Sequence, residues 1–178
     1  MVDQESKPKR KKTPTYRSYP AVVNPVDGVA DAFSEILSLG EECREASDNF
    51  PNPDHPKAQA FGEIADVLEG VSEVDLSDLP DWAQELSVHT SEMRPSDKRR
   101  SPSRATRLDN ACTILRDVAQ ALRDKADEVE AEEEPEDAEE KTSWQERQDA
   151  LDDVRAKADE LEEAAGEVEG QEFPGLYG

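Results

Sequence analysis

Leu108-Asp109-Asn110-Ala111-Cys112-Thr113-Ile114-Leu115-Arg116-Asp117-Val118-Ala119-Gln120-Ala121-Leu122-Arg123-Asp124-Lys125-Ala126-Asp127-Glu128-Val129 carries the clearest pattern in the chain. Leu108, Cys112, Leu115, Ala119, Leu122, Ala126 and Val129 recur at alternating steps of four and three residues, the apolar seam of a coiled-coil helix. Ser101 followed by Pro102 reads as N-cap and first helical position, so a helix is expected over roughly 102–130. A second seam, Trp144, Leu151, Val154, Ala158, Leu161, Ala165 and Val168, predicts a partner over roughly 143–169, with Arg147 as its one polar interruption. Between them, Pro135 and the repelling carboxylates from Glu132 to Glu140 disfavour helix and leave 131–142 as an acidic loop. At 1.5 Å per residue the two helices would be about 43 and 40 Å long. Matched lengths favour an antiparallel hairpin over 101–170. Many seam positions are alanine, so the stripe is narrow and the hairpin needs a further surface, either the first half of the chain or a second copy.

Upstream, Val29, Phe33, Ile36, Leu37, Cys43 and Ala46 keep mostly three- and four-residue steps after Asn24-Pro25, with Gly40 in the gap, which predicts a helix over about 26–49. Pro51, Asn52, Pro53 and Pro56 interrupt it. Ala58, Phe61, Ile64, Ala65, Leu68 and Val71 then resume the period, making 25–71 a helical hairpin. Residues 72–100 read as a linker in which Asp81 caps a short helix that sets Trp82 and Leu86 on one side. The expected fold class is therefore all-α: a helical hairpin plus a long antiparallel coiled-coil hairpin, joined in a four-helix bundle. Cys43 and Cys112 lie in separate helical patterns and read as two small buried thiols rather than a disulfide.

The chain carries 44 acidic and 21 basic residues, a formal charge of −23, which excludes a basic nucleic-acid binder by bulk charge. Leu, Ile, Val and Phe make up only about 18% of it, so composition alone predicts little core. No apolar run approaches the ~20 residues that cross a bilayer, and no apolar segment follows the basic N-terminus. The expectation is a soluble, intracellular protein without a membrane span. Charge is uneven, however. Residues 23–93 hold 17 acids against Arg44 and Lys57, whereas two islands are basic. The first, within a flexible arm over 1–24, contains Lys7, Lys9, Arg10, Lys11 and Lys12 and resembles an import signal or a nucleic-acid arm, or serves as a solubilising tail. Tyr16 and Tyr19 beside Arg17 are candidates for stacking on bases.

The second island holds Arg94, Lys98, Arg99, Arg100, Arg104 and Arg107. Antiparallel pairing would lay Arg99, Arg100, Arg104 and Arg107 beside Glu160, Glu162, Glu163, Glu167 and Glu169, so that each cluster offsets the other's unfavourable helix dipole. The alternative is a contact with a polyanion or an acidic partner. The apolar C-terminal peptide 171–178 offers Phe173, Leu176 and Tyr177, which dock either on this bundle or on another chain.

No chemical motif emerges. The eight glycines form neither a dinucleotide fingerprint nor a phosphate loop, and no G-x-S-x-G elbow is present. His55 and His89 lack metal-ligand spacing, and the acids lack calcium-loop spacing. No cofactor, metal or catalytic residue is expected, and the reading is non-enzymatic. Three stretches, Ser38-Leu39-Gly40-Glu41-Glu42-Cys43-Arg44-Glu45-Ala46-Ser47-Asp48-Asn49, then Ser96-Asp97-Lys98-Arg99-Arg100-Ser101 with Arg107-Leu108-Asp109-Asn110, and Glu172-Phe173-Pro174-Gly175, resemble small acidic proteins encoded by tailed bacteriophages and prophages. The resemblance implies a viral setting, in the host cytoplasm or the virion, and helical content; it transfers no activity and no functional residue. The expected function is protein–protein interaction or assembly, with self-association included. Its candidate contacts are Lys9, Arg10, Lys11, Lys12, Arg99, Arg100, Arg104, Phe173, Leu176 and Tyr177. The alternative is a DNA mimic that presents helical carboxylates to a nucleic-acid-binding host protein. Direct polyanion binding by the two basic islands is a third reading.

Overall fold

The computed structural model describes residues 15–175. In chain order these form β1 (Tyr16–Val23), α1 (Pro25–Asp48), α2 (Pro56–Gly70), α3 (Asp81–Gln84), β2 (Val88–Pro95), α4 (Arg104–Glu130), α5 (Ala138–Asp149) and α6 (Leu151–Val168). The helical hairpins are present, but an antiparallel two-stranded ribbon of β1 and β2 corrects the all-α expectation. Residues 16–23 of the segment read as an arm, and 88–95 of the segment read as a linker, are these two strands.

The ribbon forms for local and tertiary reasons together. Tyr16, Tyr19, Val22 and Val23 suit a pleated surface, and their partners lie about seventy residues away, with Arg17 opposite Arg94 and Tyr19 opposite Glu92. Both backbone polar groups of Met93 are taken by the side chain of Asn110 on α4: the Met93 amide donates to Oδ1 at 2.8 Å and Nδ2 donates to the Met93 carbonyl at 3.0 Å. Met93 therefore faces away from β1. By alternation, Pro20 also falls at an outward-facing position, where its missing N–H costs no ladder bond. The end of β1 folds closely onto α1. A Cβ on Gly28 would lie 2.9 Å from Val23 Cγ2, so only glycine admits this approach.

α1 starts at a complete cap: Asn24 Oδ1 accepts from the Val26 and Asp27 amides, Pro25 occupies the first turn, and Asn24 Nδ2 donates to the Gln84 carbonyl at 2.6 Å. α2 packs against α1 across Gly40, whose absent side chain leaves room for Leu68 and Glu69. α4 lies against both α1 and α6. Every position of its heptad seam, Leu108 to Val129, is buried, as are Leu151, Val154, Ala158, Leu161, Ala165 and Val168 on α6. The antiparallel sense is fixed by Cys112 facing the Ala165 carbonyl near one end and Arg155 holding Asp127 and Glu130 near the other.

Both hairpins share one core, and the segment between α2 and α3 belongs to it: Val71, Val74, Leu76 and Leu79 are all buried there. Isolated apolar residues among acids thus seal the bundle without forming a helix.

Three helix starts differ from the sequence reading, one of them because the helix expected over 143–169 breaks at Ala150 and α6 starts anew at Leu151. α4 begins two residues late, because Ser103 rather than Ser101 caps it, accepting from the Thr106 amide at 3.1 Å. α5 begins at Ala138, inside the segment expected to be loop. Asp137 caps it, and Glu139 and Glu140 sit in the first turn, where negative charge is favoured by the helix dipole. Trp144 and Arg147 do not join the seam, since α5 buries no residue. Instead they close the turn: Trp144 Nε1 donates to the Glu132 carbonyl at 3.1 Å, Gln148 Nε2 donates to the Val129 carbonyl at 2.6 Å, and Arg147 holds the Glu132 carboxylate.

Candidate functional site

Strand pairing has one consequence for charge. Because β1 lies beside β2, the residues that follow the first basic island and those that open the second meet at one end of the molecule. Arg17 and Arg94 are directly opposed across the ladder, and Thr15 accepts from Ser96 through its carbonyl at 2.7 Å. Beyond β2, Lys98, Arg99 and Arg100 occupy an exposed connection to α4. Arg94 is held by Glu92 at 2.5 Å, and Arg100 reaches Asp97 only at 3.8 Å. Among the described residues, no carboxylate lies within ion-pair reach of Arg17, Lys98 or Arg99. Like charges directly opposed on a ladder are destabilising by themselves, so this end is arranged at some cost to the fold.

The two tyrosines have different roles. Tyr16 is structural: its hydroxyl accepts from the Ser103 amide at 3.2 Å, and hydrogen bonding with Ser103 and Thr106 lowers its phenol pKa. Tyr19 is 39% exposed, and the Arg94 guanidinium stands 6.0 Å from its ring centroid. With Glu92, Pro95, Lys98, Arg100 and Pro102 these two line an open cleft of about 550 Å³.

Arg104 and Arg107 leave this cluster. They were expected beside the acidic end of α6, and they pair with α1 instead: Arg104 Nε donates to Glu42 at 3.1 Å, Arg107 Nη1 donates to Glu42 at 2.6 Å, and Arg107 Nε donates to Glu35. Arg104 also stands over the Phe61 ring at 5.6 Å. The reason is helical phase. Arg104, Arg107, Ala111, Ile114, Val118 and Ala121 form a second heptad stripe on α4, offset from the first, and its start faces α1, from Arg104 at Glu42 to Ile114 beside Gly28. The acidic end of α6 is met instead by Arg116, which forks onto Glu169 at 2.7 and 2.5 Å.

Of the sequence-derived contact residues, Arg99 and Arg100 thus lie at the cationic end and Arg104 does not. Phe173 packs in cis against the shared core, partly buried. Lys9, Arg10, Lys11, Lys12, Leu176 and Tyr177 lie outside the described residues. Arg94 and Lys98 belong to the second island by sequence, whereas Arg17 and Tyr19 join them only through the strand pairing, for which Tyr16, Tyr19, Val22 and Val23 were the one compositional signal.

Elsewhere the chemistry is sparse. Among the described residues no group of three or more His, Cys, Asp or Glu side chains is placed to hold a metal ion, and no helix is long and apolar enough to cross a membrane. His55 caps α2, accepting from the Lys57 amide, and stacks on Phe50 at 5.0 Å. Cys43 and Cys112 are buried and unbridged. Burial pushes the Cys112 thiol up to about 11, so at pH 8 only about a thousandth of it is the reactive thiolate. Iodoacetamide is expected to label both cysteines at least about 100-fold more slowly in the native protein than in urea, followed by mass spectrometry. Equal labelling rates in the two conditions would show that the α4 seam opens freely. Compared with protein-family models, with curated proteins and with solved structures, the chain matches none.

Proposed function

We propose that this protein is a non-enzymatic interaction protein: an acidic helical bundle that carries one cationic end and docks through it onto an anionic surface of another macromolecule. The observation that supports this reading is Arg17 standing opposite Arg94 on the ladder, with Lys98, Arg99 and Arg100 adjoining, in a molecule of net charge −23. The resemblance to phage-encoded proteins would set this docking in a host cytoplasm or an assembling virion. The DNA-mimic reading has less support. Along the α4–α6 seam, Arg123 spans Asp159 and Glu162, and Arg155 spans Asp127 and Glu130, so these four carboxylates are already paired with cations where a phosphate mimic needs them free.

A heparin column tests the reading, because it offers a polyanion that a protein of this net charge has no bulk reason to bind. The full chain is expected to be retained at low salt and released as salt screens the contact. A variant with Arg17, Lys98, Arg99 and Arg100 all replaced by serine is expected to flow through while keeping its circular dichroism spectrum. Flow-through of the unaltered protein at low salt, or undiminished retention of the variant, overturns the reading.

A further inference from the structure

We propose that the cleft beside Tyr19 is a binding site for single-stranded nucleic acid, one base stacking on the tyrosine while Arg94, Lys98 and Arg100 hold the adjoining phosphates. This rests on the cationic end being a docking surface and names its ligand.

Three features of the cleft favour that ligand. Its lining includes an accessible aromatic ring already paired with a guanidinium, a flat polarised surface of the kind on which bases stack. Its lining carries three cations against the single carboxylate of Glu92, and the open 550 Å³ is room for about one nucleotide. Arg17, outside the cleft lining, stands directly opposite Arg94 on the ladder, so a phosphate held at Arg94 also eases the repulsion between these like charges.

The rest of the molecule narrows the choice. A duplex is a stiff polyanion that would extend past the cationic end and over the carboxylates of the bundle. Screening over about 8 Å at physiological salt does not remove that repulsion at contact. A single strand bends, so it can touch the cleft and turn away. An acidic peptide would satisfy the cations but leaves the Tyr19 ring without a planar partner.

Fluorescence anisotropy of a labelled oligothymidylate of about 12 nucleotides, titrated with full-length protein at about 20 mM salt, tests the proposal. Binding is expected, with a slope of about −2 for log affinity against log salt, the value for about three phosphate contacts on a single strand. Tyr19→Leu keeps every charge and is expected to weaken binding about 10-fold without lowering heparin retention. Lys98→Ser with Arg100→Ser lies outside the ribbon and is expected to flatten the salt slope.

Absence of binding at low salt, a neutral Tyr19→Leu, a duplex bound as tightly as the single strand, or displacement by polyglutamate as effective as by oligonucleotide each overturns the proposal. If heparin retains the protein while the oligonucleotide does not bind, the cationic end remains a docking surface and only its ligand is misassigned.

Discussion

An unfolding free energy lower by about 2–5 kcal/mol, seen as a shifted urea midpoint with unchanged slope, is the expected result of Leu122→Ala. Leu122 is fully buried on the α4 seam, and its neighbours along that seam are Ala119 and Ala126, also fully buried. Neither alanine can change rotamer to refill the space. Across the interface the facing side chains belong to a helix held by ion pairs at several points along its length, Arg116 with Glu169, Arg123 with Asp159 and Glu162, and Arg155 with Asp127 and Glu130. Collapse into the cavity is therefore resisted, which places the cost toward the upper part of the range for such substitutions. For a domain whose whole stability is about 5–15 kcal/mol this is a large fraction. Val67→Ala is the comparison, since Val67 is 38% exposed and its truncation should move stability by only about 0.5 kcal/mol. If the two variants shift the midpoint equally, the seam is not the tightly packed layer described above.

The contrast between the seam and the ribbon shows what a sequence of this composition makes legible. Each seam position on α4 lies in one continuous helix, so its period is recorded locally, and alanine suffices at two of the seven positions, Ala119 and Ala126, because neighbouring helices approach closely. β1 records no such local signal. Both of its faces are largely exposed, it contains Arg17 and Pro20, and it becomes a strand only because β2 lies alongside and Gly28 lets Val23 settle against α1. The outward position of Pro20 is visible only once the phase of the ladder is known from Asn110 holding Met93. Val74, Leu76 and Leu79 were similarly opaque, since burial without periodicity depends on the hairpins on either side. The basic islands were legible as charge, but their separation into a cationic end and an α1-facing pair depends on the second stripe of α4, which the stronger seam obscured.

That second stripe supports a further large effect. Arg107→Met keeps most of the apolar stem and removes the guanidinium that joins Glu35 and Glu42, and it is expected to cost about 1–2 kcal/mol at pH 7. The figure is set below the value for fully buried charged hydrogen bonds because all three side chains keep between a quarter and about two-fifths of their exposure, which lets water screen the pair. The pH dependence is the sharper observable. Burial acts to raise the Glu42 pKa, but hydrogen bonds from Arg107 and Arg104, with their charges, outweigh it and hold the carboxyl below its ordinary value of 4.5. A carboxylate depressed by folding contributes stability that is present above its unfolded pKa and is lost as pH falls through the folded one. The wild-type advantage over Arg107→Met should therefore be complete at pH 7 and shrink steadily below about pH 4.5, as Glu42 takes up its proton in both proteins. Paired urea titrations at pH 7 and at pH 3 measure this difference, and the carbon-13 shift of the Glu42 carboxyl should titrate at higher pH in the variant than in the wild type. Arg104→Met provides an internal check, because it removes the second cation from the same carboxylate while leaving the Arg107 contacts in place. A deficit that is the same at both pH values would assign the role of Arg107 to the packing of its stem rather than to its charge.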